Sequence, residues 1–228
     1  MILAIETATP RGSVALVSGG EVLAEVFLLP GPRASGSYIS AVEALFAAAG
    51  AAAGDVSAVA VSAGPGAFTG LRVGMSAAKG FCFGWGVPLV PVQTLLALAH
   101  RFPEEGRTVC PVQDARRGEV YAALFRWDGG ELARLSPDMA IAPVLLPGRM
   151  PDGDVLFCGD GVAPFGERFR EALGDRAILV PPDEAIPRAS AVGIVGERIH
   201  RDGGAVDPRA ALPFYLRTSG AEFPVPRP

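Results

Sequence analysis

The order of apolar runs along the 228 residues predicts an α/β protein of two lobes, each built on a mixed five-stranded sheet flanked by helices. Three observations carry this. Three strand-like runs open the chain, the hydrophobic period then changes to that of a helix, and strands resume after a break at residues 102–106.

The opening strands are Ile2 to Glu6, Ser13 to Val17 and Val22 to Leu28, with Gly19-Gly20 as a tight hairpin turn, so an antiparallel meander is expected. From Ser37 the spacing is helical: Ile39, Val42, Leu45, Phe46 and Ala49 share one face and Gly50 stops the helix. Val56 to Ser62 reads as a β-branched strand, and Thr69 as the cap of a second helix over about Gly70 to Phe83. Val87 to Val90 and Thr94 to His100 repeat the alternation. The order β-β-β-α-β-α-β-α is that of one lobe of the actin, Hsp70 and sugar-kinase architecture. A lobe boundary is expected near residue 105, giving lobes 1–105 and 106–217 and a frayed tail at 218–228. In the second lobe, strands are expected at Thr108 to Val112 and Glu119 to Phe125, and helices at Pro164 to Leu173 and Ala189 to His200.

Bulk chemistry narrows the function classes. Half of the residues are hydrophobic, enough for a sizeable core. The net charge of -4 argues against independent binding to a phosphate backbone. Lys79 is the only lysine among twenty basic residues. Cys82, Cys110 and Cys158 are odd in number and widely spaced, which excludes a CxxC motif and points to a reducing cytoplasm. The apolar run at the amino terminus stops at Glu6, too short for a signal peptide, and no run reaches the length of a membrane helix.

The run Gly64-Pro65-Gly66-Ala67-Phe68-Thr69-Gly70 follows a strand and opens a helix, where backbone amides can bind an anion. It lacks both the dinucleotide spacing and the Lys-Ser/Thr ending of a phosphate loop, so spacing alone favours a tight turn that needs glycine's backbone freedom. Gly70, Gly74, Ala77 and Ala78 leave small residues at helical spacing, which fits close approach by a neighbouring or partner backbone. Arg72, Met75 and Lys79 could dock a partner from that helix. Gly74-Met75-Ser76-Ala77-Ala78 half-matches a nucleophile elbow, but Ser76 falls inside a helix and His100 and His200 are isolated. The two histidines supply no paired metal ligands either, so no metal site is expected. Glu6, Thr7 and Ser13 could face a phosphate, and Asp114 with Gly159, Asp160 and Gly161 could approach a nucleoside. A salt-bridged turn explains Asp114 to Tyr121 equally well.

Together these segments resemble the TsaB (YeaZ) family. The resemblance rests on Ile5-Glu6-Thr7 with Ser13 to Leu16, on Gly64 to Gly74 (GPGAFTGLRVG) running on to Ala78-Lys79-Gly80, on Asp114 to Tyr121, and on Pro213 to Arg217. It implies a non-catalytic paralogue of the transferase TsaD, acting as scaffold and activator in making N6-threonylcarbamoyladenosine at position 37 of tRNAs that read ANN codons. TsaD is the implied catalytic partner and TsaE the implied ATPase, with tRNA met only through the complex and no cofactor of the chain's own. Helices one and two would pair with those of TsaD, or with a second copy in an isolated homodimer. That assigns Ile39, Val42, Leu45, Phe46, Gly70, Leu71, Arg72, Gly74, Met75 and Lys79 to partner binding. The chain departs from the family pattern at Glu6-Thr7-Ala8 in place of Asp-Thr-Ser, at Gly36-Ser37-Tyr38 in place of His-Ser-Glu, and at Arg116-Arg117 in place of a glycine-rich loop. Independent nucleotide hydrolysis is therefore not expected, and an ATP-dependent phosphotransferase of the same fold is the competing reading.

Overall fold

The computed structural model describes residues 1–28 and 34–216, and the side chains of all these except 34–37. The meander forms as expected: β1 (Ile2–Glu6) pairs antiparallel with β2 (Gly12–Ser18), which pairs with β3 (Glu21–Leu28). After α1 (Ala34–Ala49), β4 (Ala58–Gly64) lies parallel to β1, with Ile2 opposite Ala58. Then α2 (Phe68–Trp85), β5 (Leu89–Gln93) and α3 (Thr94–His100) complete a mixed five-stranded sheet of order β3-β2-β1-β4-β5. The cap of α2 is Ala67, and Thr69 lies inside the first turn, because the chain leaves β4 through Pro65 and enters the helix earlier than spacing suggested.

The second sheet carries seven strands, not five. Its core is β6 (Thr108–Arg116) between β7 (Glu119–Ala122) and β11 (Val155–Cys158), extended by β10 (Met139–Ile141) and β12 (Ala177–Leu179). The two additional strands are β8 (Phe125–Asp128) and β9 (Glu131–Arg134), a hairpin attached through β8 to the start of β6. The run Glu119 to Phe125 is thus two strands, interrupted at Ala123-Leu124, that follow one edge of β6 in the same register, with Ala122 opposite Val112 and Phe125 opposite Val109. Without the hairpin, the order β10-β7-β6-β11-β12 repeats that of the first sheet, with the later two strands again parallel to the central one. A helix follows each parallel strand pair: α4 (Val162–Leu173) and α5 (Ala189–Arg201).

Alternation along β1 sends Leu3 and Ile5 to one face and Ile2 and Ala4 to the other. The first face packs Val14, Leu16, Val59 and Val61 under α1 and α2 through Val42, Leu45, Met75 and Cys82. The second is small (Ala4, Ala15, Ala58, Ala60) and receives α5, through Ala189, Val192 and Val195, although α5 lies beyond residue 106. In exchange, α3 places Leu95, Leu98 and Ala99 against Val109, Phe125 and Leu156 of the second sheet. Each lobe therefore covers its inner sheet face with a helix from the other's stretch of sequence. Glu197 of α5 adds a polar tie, accepting the Gly19 and Gly20 N–H groups at 2.8 and 2.6 Å.

Candidate functional site

Between the lobes lies a cleft of about 460 Å³. One wall is Ala8, Pro10 and the segment Pro65 to Phe68 that leads into α2, the opposite wall is Gln113 to Arg117 with Tyr121 and Asp160, and Phe214 to Leu216 close the side. Gly64 makes this closure possible. Its φ of 123° is open to glycine, and a Cβ there would strike the Phe214 carbonyl, whose own N–H donates to Ala63 O at 2.6 Å. Arg72 pins the next residue: its guanidinium lies 3.9 Å from the Phe68 ring centroid and its Nε donates to Tyr215 Oη at 3.0 Å. Phe68 and Tyr215 pack with ring centroids 5.1 Å apart. Arg72, expected as a docking cation, is thus engaged within the chain.

Of the residues expected at a nucleotide, the cleft gathers Asp114 and Asp160 only. Asp160 Oδ1 accepts the Asp114 N–H at 3.2 Å, and Asp114 pairs with Arg116 at 3.0 Å. Burial raises the Asp160 carboxyl above its ordinary range, opposed by the Asp114 N–H. Arg116, the last residue of β6, and Arg117 lead into the turn to β7 with φ of 61° and 55°. Glu6 lies beneath the cleft, wholly buried, with Oε1 accepting the Ala8 N–H at 2.5 Å and Oε2 unpartnered. Burial pushes its carboxyl to about 7, against the opposing effect of the Ala8 and Ser62 hydrogen bonds. Ser13 is equally buried, and its hydroxyl accepts the Ala189 N–H at 2.8 Å at the start of α5. Thr7 donates its N–H to Ser62 Oγ at 3.1 Å. Gly159 and Gly161 form a structural turn, Gly161 N–H donating to Val112 O at 3.0 Å. The other five expected nucleotide contacts are therefore parts of the scaffold. Sequence reasoning missed Gln113, whose signal was a polar residue closing the apolar run Val109 to Val112.

The second surface is the outer side of α1 and α2. Val42, Leu45, Leu71 and Met75, expected to meet a partner, are buried in the chain's own core. Gly70 and Gly74 serve an internal approach: a Cβ at either would collide with Thr7, at its carbonyl for Gly70 and at its hydroxyl for Gly74. What faces outward is Ile39 (61 % exposed), Phe83 (60 % exposed) and the half-exposed Phe46 and Lys79. Ser76 is exposed midway along α2, away from any strand-to-helix turn, so the elbow reading has no geometry behind it.

Two sheets of one strand order, helices exchanged between them and a cleft at their junction define a protein of the actin, Hsp70 and sugar-kinase fold. The (R)-2-hydroxyglutaryl-CoA dehydratase component A of Acidaminococcus fermentans shares this fold at a TM-score of 0.52 and 11% identity, over 86% of this chain and 97% of that one. YeaZ from Pseudomonas aeruginosa superposes much more fully, with a TM-score of 0.80 and 27% identity over 94% of this chain and 99% of its own. Residues 35–224 match the family model TsaD: tRNA N6-adenosine threonylcarbamoyltransferase. The tRNA threonylcarbamoyladenosine biosynthesis protein TsaB of Bacillus subtilis (strain 168) is 30% identical over 97% of this chain and 96% of its own length. That of Escherichia coli (strain K12) is 31% identical over 96% of each. The chain belongs to the TsaB (YeaZ) family. Its role lies in tRNA threonylcarbamoyladenosine biosynthesis. No described helix is long and apolar enough to cross a membrane.

Proposed function

We propose that this chain is a non-catalytic, cytoplasmic subunit that binds and activates the transferase TsaD for modification of N6 of adenosine 37 in tRNAs reading ANN codons. The observation that carries the reading is the outward side of α1 and α2, where Ile39 and Phe83 stand in solvent on helices whose other faces are already packed. Exposed aromatic and aliphatic side chains of this size are typical of interface anchors. The same side would join two copies when the chain is alone, TsaE would act as the ATPase of the assembly, and tRNA would be met only through it.

A subunit without its own chemistry fits the interior of the cleft. A phosphotransferase of this fold needs an ionised carboxylate in reach of a metal-bound phosphate. Glu6, the sequence candidate, is sealed below the floor and holds its proton to about 7. Reconstituted transfer should need this chain together with TsaD. Equal yield from TsaD and TsaE without it would remove the proposal. Replacement of Ile39 and Phe83 by Glu should abolish co-elution with TsaD while the melting temperature stays within a few degrees. Unchanged co-elution would move the interface elsewhere.

A further inference from the structure

Among the described residues, the β8–β9 hairpin is the part of the second sheet without a counterpart in the first. It stands where the chain passes from one sheet to the other. Two stretches make that passage: residues 93–107, from the end of β5 through α3 to the start of β6, and residues 180–188, from β12 to α5. When one lobe of a cleft-bearing protein rotates against the other, a few connecting residues of this kind absorb the change.

Here the first connection is fastened to the hairpin. Gly106 donates its N–H to Trp127 O at 3.0 Å, and Glu105 Oε1 accepts the Gly130 N–H at 2.7 Å, one contact along β8 and one at the hairpin's turn. Phe125 and Trp127 share an apolar cluster with Leu95, Leu98 and Ala99 of α3, and the Trp127 and His100 rings lie 5.3 Å apart. The hairpin also reaches past its own sheet at both ends of β9. Arg134 donates to Asp138 Oδ1 at 2.6 Å and to Ser136 O at 3.3 Å, and its guanidinium lies 4.6 Å from the Phe125 ring centroid. Its second nitrogen, Nη2, donates to Oε1 of Gln93, the last residue of β5 in the first sheet. A planar guanidinium held on several sides offers that bond in one direction only. At the other end, Glu131 pairs at 3.4 Å with Arg198 of α5, the helix packed on the first sheet. This exposed pair contributes little by itself. Its effect comes from acting together with Arg134, since two separated ties resist a rotation that one would permit.

We propose that the β8–β9 hairpin is a brace that fixes the angle between the two sheets, so that the cleft keeps one width and does not open and close. The brace acts in the chain alone and does not rest on docking to TsaD. A second device in the same region competes with it: Arg101, just past α3, donates from Nη1 to Glu184 O at 2.6 Å and to Ile186 O at 2.5 Å, lacing one connection to the other.

Double electron–electron resonance on the full chain tests the brace. Spin labels go on Arg11→Cys, next to Pro10 on one wall of the cleft, and Arg117→Cys on the other, both exposed positions. The native Cys82, Cys110 and Cys158 are buried and escape labelling. The labelled chain should give a single narrow distance distribution. Gln93→Ala, Glu105→Ala and Glu131→Ala combined remove three exposed acceptors and leave Arg134 bound to Asp138 and β8 paired with β6. This triple variant should broaden the distribution about twofold or more, while its melting temperature stays within a few degrees. An unchanged distribution overturns the proposal. Broadening by Arg101→Ala without broadening by the triple variant places the lock in the lacing between the connections and equally overturns it. A broad or two-component distribution before any of these changes overturns it as well, even where the triple variant does not fold.

Discussion

Glu6 shows how much one position's burial changes its chemistry. Read in the sequence as a carboxylate for a metal-bound phosphate, it is enclosed by β1's own neighbours, and its proton leaves only near 7 instead of the ordinary 4.5. The folded chain thus holds a proton that the unfolded chain releases earlier. Stability from this group is complete below about 4.5 and is lost as pH rises through about 7. At about 1.4 kcal/mol per pH unit, the loss amounts to about 3 kcal/mol. Denaturant unfolding at a series of pH values should show this decline, and Glu6→Gln should flatten it and be the more stable protein above pH 7. A wild-type stability that is level from pH 5 to 8 would contradict the burial argument. Gly74 gives a second test. A methyl at this position gains about 1 kcal/mol of helix propensity but strikes the Thr7 hydroxyl, an overpacking that costs roughly 1–3 kcal/mol. Gly74→Ala should therefore lower the melting temperature of the isolated chain. If it were neutral there yet broke the complex with TsaD, the small residue would be serving a partner after all. Neither burial nor contact direction is written at one position of a sequence, which is why glycine spacing was legible and its beneficiary was not.

At the scale of elements, period alone revealed most of the first sheet. The continuous apolar runs Ile2-Leu3-Ala4-Ile5 and Ala58-Val59-Ala60-Val61 mark strands with two buried faces, and the shift to helical spacing at Ser37 marks α1. Boundaries moved by two or three residues where Pro65 and Pro91 shape the local chain. The helix faces were harder. Ile39, Val42, Leu45 and Phe46 read as one stripe, but Tyr38 and Ala41 complete the buried side of α1 and leave Ile39 outside it. The β8–β9 hairpin was missed because the four-residue strands are short and largely polar on one side, with the burial pattern of β9 mostly exposed. Exposed element faces also set expectations for variants. Ile39→Ala should change stability by no more than about 0.5 kcal/mol, whereas Leu45→Ala should cost about 2–5 kcal/mol, since the first side chain stands in solvent and the second is fully buried. Chemical denaturation of both variants checks the assignment of the two faces.

For the whole molecule, strand order predicted the architecture, but not the exchange of helices between the two sheets. That exchange depends on which sheet face carries small residues, and Ala4, Ala15, Ala58 and Ala60 prepare the first sheet for a helix whose Gly193 and Gly196 approach them closely. The lobes should consequently unfold together. Calorimetry should give one transition with equal calorimetric and van't Hoff enthalpies, and the fragment 1–105 should lack fixed tertiary structure by near-ultraviolet dichroism. Two resolved transitions, or a cooperatively folded fragment, would show that α5 is dispensable to the first lobe.

The same exchange has a meaning for synthesis. The strands of the first sheet leave the ribosome well before α5, which begins at Ala189, more than ninety residues after β5 ends at Gln93. At about 5–20 residues per second, one apolar face of that sheet waits on the order of ten seconds for its cover. During that interval the nascent chain is a substrate for holdase chaperones, and slowing translation between residues 93 and 189 would lengthen its exposure.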